Sequence, residues 1–238
     1  MPDAVLIDVE SLMFRWPSAD LPCLIIESFQ VPAGDRVFLF GPSGSGKSTL
    51  LALLGGVLTP QHGRIRVLDA ELSAMKSRER DRFRVEHVGF IFQQFNLVPY
   101  LPVMDNVLLP CRFSPTRAAR ASEADGTPAN AARRLLEGMH LGPTVQARSV
   151  TELSVGQQQR VAVARALIGR PELIIADEPT SSLDADAQQT FLELLLGECD
   201  RWATTLLFVS HNRQLASYFD REVDLPAINQ AQPVALDS

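Results

Sequence analysis

What this chain lacks narrows its possible roles before any motif is read. Lysine is nearly absent: only Lys47 and Lys76 carry an ammonium, and the rest of the 22 basic side chains are arginine. A lysine kept against that bias makes its position informative. Cysteine is scarce as well. Cys23, Cys111 and Cys199 show no metal-like spacing, and an odd count without a secretory leader reads as reduced thiols in a cytosolic protein. No stretch approaches the ~20 apolar residues of a membrane span. The run "LLALLGGVL" (50–58) is too short and holds two glycines. The N-terminus, "MPDAVLIDVE", has acids where a signal peptide has a basic region. The chain is therefore expected to be soluble by itself, with any membrane role exercised through partners. Positive charge is not in excess either: the formal net charge is −6 and the pI about 5.3. An acidic chain without a polybasic tract is a poor candidate for an autonomous nucleic-acid binder. The run "KSRERDRFR" (76–84) mixes signs, Glu79 and Asp81 cancelling part of its charge, and reads as a solvated helix face.

What is present is an alternation of short apolar runs with longer helical patterns, the mark of a parallel sheet with crossover helices. The 238 residues, 46% hydrophobic, suffice for one large α/β domain with a small inserted subdomain. Buried strands are expected at "RVFLF" (36–40), "VGFIF" (88–92), "ELIIAD" (172–177) and "TTLLFVS" (204–210). "GRIRVLD" (63–69) alternates polar and apolar residues, as a half-exposed strand near an edge does. "STLLALLGG" (48–56) reads as a helix closed by Pro60. Residues 97 to 170 hold no convincing strand and are read as an inserted helical subdomain. Its segment "SPTRAARASEADGTPAN" (114–130) is expected to be a weakly ordered polar loop.

Three stretches carry chemistry. "GPSGSGKST", that is Gly41, Pro42, Ser43, Gly44, Ser45, Gly46, Lys47, Ser48 and Thr49, follows a strand and opens a helix. It fits the G-x-x-x-x-G-K-[ST] phosphate loop, in which glycines let successive N–H groups turn inward toward an anion at a helix N-terminus. Lys47 would hold the β- and γ-phosphates of a nucleoside triphosphate, and the Ser48 hydroxyl would ligate Mg2+. The N-K-x-D signature of guanine recognition is missing, and Trp16 is the candidate for stacking on an adenine ring, with Phe14 as its competitor. "LIIADEP" (173–179) ends an apolar strand on two carboxylates, at the end where open parallel sheets bind ligands. Asp177 would face the Mg2+ hydration shell and Glu178 would polarise an attacking water. In "LSVGQQQR" (153–160), Ser154 and Gln157 make a capping box. Gly156 is left over, and a glycine in a helix costs about 0.5–1 kcal/mol relative to alanine. A hydroxyl, a bare backbone and an amide at a helix start make an anion site. With one phosphate loop already in the chain, the second site is read as serving a partner subunit's nucleotide.

These motifs together resemble the ATP-binding cassette (ABC) ATPases, whose signature is usually L-S-G-G-Q. In order stand the Walker A loop (41–49), a glutamine loop "FQQF" (92–95), the signature, the Walker B strand (173–178), "SSLD" (181–184) and "SH" (210–211). The resemblance covers nearly the whole chain. It implies a P-loop NTPase core of ABC type, about 1–95 and 170–238, with a helical subdomain at about 96–169 and an N-terminal antiparallel β region. It implies a homodimer or equivalent pair, with ATP between one subunit's Walker A loop and the other's Ser154, Val155, Gly156 and Gln157. Gln93 would meet Mg2+ and sense the transport subunit, Asp184 would couple the two sites, and His211 would hold the γ-phosphate and the attacking water. Val155 departs from the usual glycine and is costly if its φ must be positive. Ser182 and Asn212 are milder departures.

The run "VGFIFQQFNLVPYLPVMDNVLLP" (88–110) is similar to ATPases of the lipoprotein-releasing, macrolide-exporting and cell-division group. That likeness implies transmembrane permease partners and a cytoplasmic place against the inner face of the membrane. A regulator of a membrane complex is the second reading. A soluble ABC ATPase of DNA repair or translation is the third, disfavoured because residues 94–152 hold neither heptads nor a cysteine cluster.

Overall fold

The computed structural model describes residues 4–181 and 183–231, so Ser182 lies outside the described residues. In chain order, β1 (Val5–Phe14), β2 (Leu24–Pro32) and β3 (Arg36–Phe40) precede α1 (Lys47–Leu54). Then come β4 (His62–Val67), β5 (Ala70–Glu71), α2 (Ser77–His87) and β6 (Val88–Ile91). A helical stretch follows: α3 (Val103–Phe113), α4 (Pro115–Asp125), α5 (Pro128–Gly138), α6 (Pro143–Gln146) and α7 (Val155–Leu167). The chain continues through β7 (Leu173–Asp177), α8 (Ala185–Trp202), β8 (Thr205–Val209), β9 (Arg221–Asp224) and α9 (Leu225–Ile228). It divides into two compact units, one of residues up to Arg84 and from Leu207 onward, the other Val85–Leu206.

The first unit holds an antiparallel sheet of order β2-β1-β4-β5. Val9 of β1 faces Phe29 on one side and Ile65 on the other, and all three are buried. Asp8 interrupts this apolar strand, buried, yet stays ionised at little cost. Gln30 donates to its Oδ1 at 2.9 Å and Arg66 to its Oδ2 at 2.7 Å, which holds the carboxyl below the usual range against the push of burial. β4 behaves as its alternation predicts: Ile65 and Val67 are buried, Arg64 and Arg66 point out, and only the two-residue β5 lies beyond it. β3 pairs in parallel with β9, Val37 opposite Arg221, and Phe38 stacks on Phe208 at 6.2 Å. α2 buries only Phe83 and exposes Arg78, Glu79, Asp81 and Arg82, as its mixed signs predict, while Arg80 and Arg84 are half-buried.

In the second unit β6 and β7 are parallel, Val88 opposite Leu173 and Ile91 opposite Ala176. Between 97 and 170 the described residues form no strand, only an isolated bridge of Pro102 with Ser149. The expected polar loop at 114–130 is instead the whole of α4 and the start of α5. Its Ser, Thr and Pro residues are caps, not breakers: Ser114 accepts from the Arg117 N–H and Thr127 from the Asn130 N–H, each followed by a proline in the first turn. Arg117, fully buried, anchors α4. Its guanidinium donates to the carbonyls of Ala166, Ile168 and Val88 at the end of α7 and the start of β6. Burial pulls its pKa down to about 10, and the carbonyls at the helix C-terminus stand in for a counter-ion.

Candidate functional site

The phosphate loop turns between β3 and α1. Gly46 sits at the N-cap with φ 99° and offers no side-chain cap, so the first N–H groups of α1 are left for a ligand. Lys47 curls back: its Nζ donates to the Gly41 carbonyl at 2.7 Å and the Pro42 carbonyl at 2.9 Å. That leaves one of its three protons for an anion. The Ser45 Oγ is buried and makes no hydrogen bond among the described residues. Pro42, Ser43, Gly44 and Ser48 are exposed, and a side chain at Gly44 would meet only open space. An uncapped helix start, a lysine folded over the same loop and a hydroxyl without a partner among the described residues fit a polyphosphate. The loop is held tightly from behind. A Cβ on Gly46 would stand 2.7 Å from Leu24 Cδ2 and 3.3 Å from the Cys23 carbonyl oxygen. The Cys23 thiol bonds Thr49, yet burial pushes its pKa up, so it is not a nucleophile in waiting.

At the end of β7, Asp177 and Glu178 are half-buried, and Glu178 adopts φ 47°. A left-handed residue directly after a buried strand turns the chain sharply, so Glu178 leaves the alternation of the strand that carries Asp177. Pro179 and Thr180 behind them are buried. Asp184 caps α8, its Oδ1 accepting from the Ala187 N–H at 2.9 Å. Beyond β8, Ser210 is buried and His211 exposed. Asn212 caps the 3-10 turn at Arg213–Tyr218, accepting from the Gln214 N–H at 3.2 Å. An asparagine oxygen does this as well as a carboxylate, so that departure costs no structure.

The helix start at Ser154 has both halves of its capping box. Ser154 Oγ accepts from the Gln157 N–H at 3.3 Å, and Gln157 Oε1 accepts from the Ser154 N–H at 3.1 Å. Val155 is the first residue of α7, its φ ordinary and its side chain 52% exposed, so valine there is unstrained. Nothing lies within 4 Å of where a Cβ on Gly156 would be. The same helix carries two ties that its sequence did not announce. Buried Gln159 donates to the Pro179 carbonyl, beside Glu178. Arg165 donates to the carbonyls of Phe95 and Asn96, each at 2.6 Å, and so holds the turn that contains Gln93. Only helical spacing along α7 hinted at them, and it cannot name partners so distant in sequence.

Gln93 is exposed on that turn. Beside it opens a cleft of about 260 Å³, lined by Gln94, Leu97 and Pro99 on one side and Val150, Thr151 and Gln158 on the other. Tyr100 stands out at 83% exposure. Trp16 keeps 42% of its surface exposed and meets Phe14 edge-on at 5.2 Å, whereas Phe14 is buried. Of the two candidate stacking rings, only Trp16 offers a free face.

Comparison with known proteins shows the family. The family profile described as ABC transporter matches residues 26–181. The lipoprotein-releasing system ATP-binding protein LolD 2 of Rhodospirillum rubrum is 38% identical over 223 residues, 92% of this chain and 93% of that protein. The ABC transporter ATP-binding protein YbbA of Escherichia coli is 40% identical over 80% of each chain. The macrolide export ATP-binding/permease protein MacB of Rhodopirellula baltica is 38% identical over 88% of this chain, which spans only 30% of that longer protein. Among solved structures, a dimeric post-hydrolysis state of the ATP-binding cassette MJ0796 bound to ADP and Pi superposes with a TM-score of 0.78. It is 28% identical, over 95% of this chain and 98% of that one.

Proposed function

This chain belongs to the ABC transporter family as an ATP-binding, ATP-hydrolysing cassette, and from that premise we propose that it pairs around two ATP molecules and drives permease subunits embedded in a membrane. The observation that carries the proposal is the start of α7: a fully capped helix with a glycine that nothing in its own chain requires. In the proposal Ser154, Val155, Gly156 and Gln157 face the nucleotide of a second copy. Lys47 and the N–H groups of residues 43–49 hold the phosphates, Trp16 stacks on the base, and Asp184 couples the two halves. Glu178 accepts the proton of the attacking water, and His211 orients that water and the γ-phosphate.

We extend the proposal to Mg2+, for which Ser48, Gln93 and Asp177 offer the hard oxygen donors such an ion takes. Bound there, it would neutralise phosphate charge. The assignment of a core at about 1–95 and 170–238 and a helical subdomain at about 96–169 is part of the same reading. So is a peripheral place on the cytoplasmic face of the membrane: no described helix is long and apolar enough to cross one, and the permease would supply the attachment. The apolar run around Tyr100 and the cleft beside Gln94 suit a docked helix of that permease. The named relatives point to export or extraction of a lipophilic or envelope cargo.

Two experiments test it. Glu178→Gln keeps the geometry and removes the base, so sedimentation with ATP should show a dimer that the ATP-free protein does not form. A monomer at saturating ATP would refute the pairing. A cysteine placed at Tyr100 should cross-link to the permease in membranes. Cross-linking from the Arg64 face alone would move the docking surface elsewhere.

A further inference from the structure

The segment after β9 returns to the back of the phosphate loop. Asn229, just beyond α9, uses every hydrogen-bonding position of its carboxamide there. Its Oδ1 accepts from the Ile25 N–H at 2.9 Å and the Ala231 N–H at 3.1 Å. Its Nδ2 donates to the Cys23 carbonyl at 3.0 Å and the Ser45 carbonyl at 3.3 Å. Two N–H groups on one side and two carbonyls on the other leave the amide a single orientation. The backbone reinforces it: the Gln230 N–H donates to the Ile25 carbonyl at 2.8 Å and the Asn229 N–H to Leu225 at 2.8 Å. Pro226 closes the other side, with its Cδ 3.1 Å from where a Cβ on Gly41 would stand.

Ser45 lies between Gly44 and Gly46, in the middle of the loop whose N–H groups must face the phosphates together. The Cys23 carbonyl that receives Asn229 is also the one against which Gly46 is pressed. We infer that Asn229 is a positioning residue for ATP: it pins the Ser45 peptide and the start of β2 to each other and keeps the loop shaped for phosphate before nucleotide arrives. It touches no reacting atom and acts through the loop.

This deepens the reading of residues 41–49 as the ATP site and rests on it. Saturable binding of a fluorescent ATP analogue with Mg2+ to the wild-type chain is therefore measured first; its absence would sink the loop assignment itself. With that in hand, Asn229→Ala should weaken the analogue about tenfold, the price of lost hydrogen bonds to a loop that must then be ordered by the ligand. The change should fall on Kd and KM more than on kcat. Asn229→Asp separates the two halves of the amide. It keeps both acceptor bonds, to Ile25 and Ala231, and sets a carboxylate against the Cys23 and Ser45 carbonyls. That repulsion should lower its melting temperature while leaving it folded at the assay temperature, and it should bind ATP at least as poorly as the alanine variant. If alanine prevents folding, the aspartate variant decides. Wild-type affinity in Asn229→Asp, or a fall in kcat with Kd unchanged in either variant, overturns the inference.

Discussion

The starts of α1 and α7 both carry serine and glycine, and the two glycines are there for opposite reasons. At α1 the need is internal. Gly46 has φ 99°, and a Cβ on it would run into Leu24; a Cβ on Gly41 would stand 2.7 Å from Ser45 Oγ. No side chain caps that helix, and the chain itself presses the loop into shape. At α7 the cap is complete on both sides, φ is ordinary, and the space around Gly156 is empty. One site is finished by its own chain. The other, in the pairing proposed above, would face a second copy.

The comparison breaks most visibly at Lys47. Replacing it with alanine should lower ATP hydrolysis at least about a hundredfold, the scale of losing one preorganised donor at developing charge, with the melting curve little changed. Hydrolysis near the wild-type rate in a folded Lys47→Ala protein would remove the α1 site from the argument. Next in size is Gly156→Asp placed on Glu178→Gln. A carboxylate facing the γ-phosphate of a second copy repels it, so the ATP-dependent dimer should disappear in sedimentation while each chain still binds ATP through Lys47. A persisting dimer would make α7 merely a well-capped helix.

Stability measurements sharpen the contrast further. Gly46→Ala should cost about 1–3 kcal/mol in denaturant unfolding, since the backbone there suits only glycine and Leu24 is in the way. Ser154→Ala should cost about 1 kcal/mol through the lost cap. Gly156→Ala should do the reverse and stabilise the isolated chain by about 0.5 kcal/mol, while weakening the ATP-dependent pair. If Gly156→Ala destabilises the lone chain, the glycine serves its own fold after all.

Much of this was legible in the sequence where burial is complete. β3, β6, β7 and β8 are uninterrupted apolar runs because side chains cover both of their faces. The capping box at Ser154 was visible because it is local, spanning three residues. α4 and the start of α5 were not, because Ser114–Pro115 and Thr127–Pro128 use loop-forming residues as helix starts, and Arg117 looks solvated in sequence yet is buried under carbonyls. β1 was hidden by Asp8, a charge whose strand position makes sense only beside Gln30 and Arg66. Val155 posed a question about φ that only coordinates answer. Asn229 was beyond reach: its partners lie 184 to 206 residues away, and no spacing rule connects them.

The bond from Gln159 to the Pro179 carbonyl has a consequence for entropy. Proline fixes its own φ near −65°, and Gln159 then holds the carbonyl that its remaining rotation would swing. Glu178, just before it, already sits in the narrow left-handed basin at φ 47°. Freezing a residue's backbone costs about 1–2 kcal/mol, and here that loss falls when the chain folds. In the proposed reaction, the carboxylate of Glu178 would therefore ride on a turn with little freedom left to lose when it aims a water molecule.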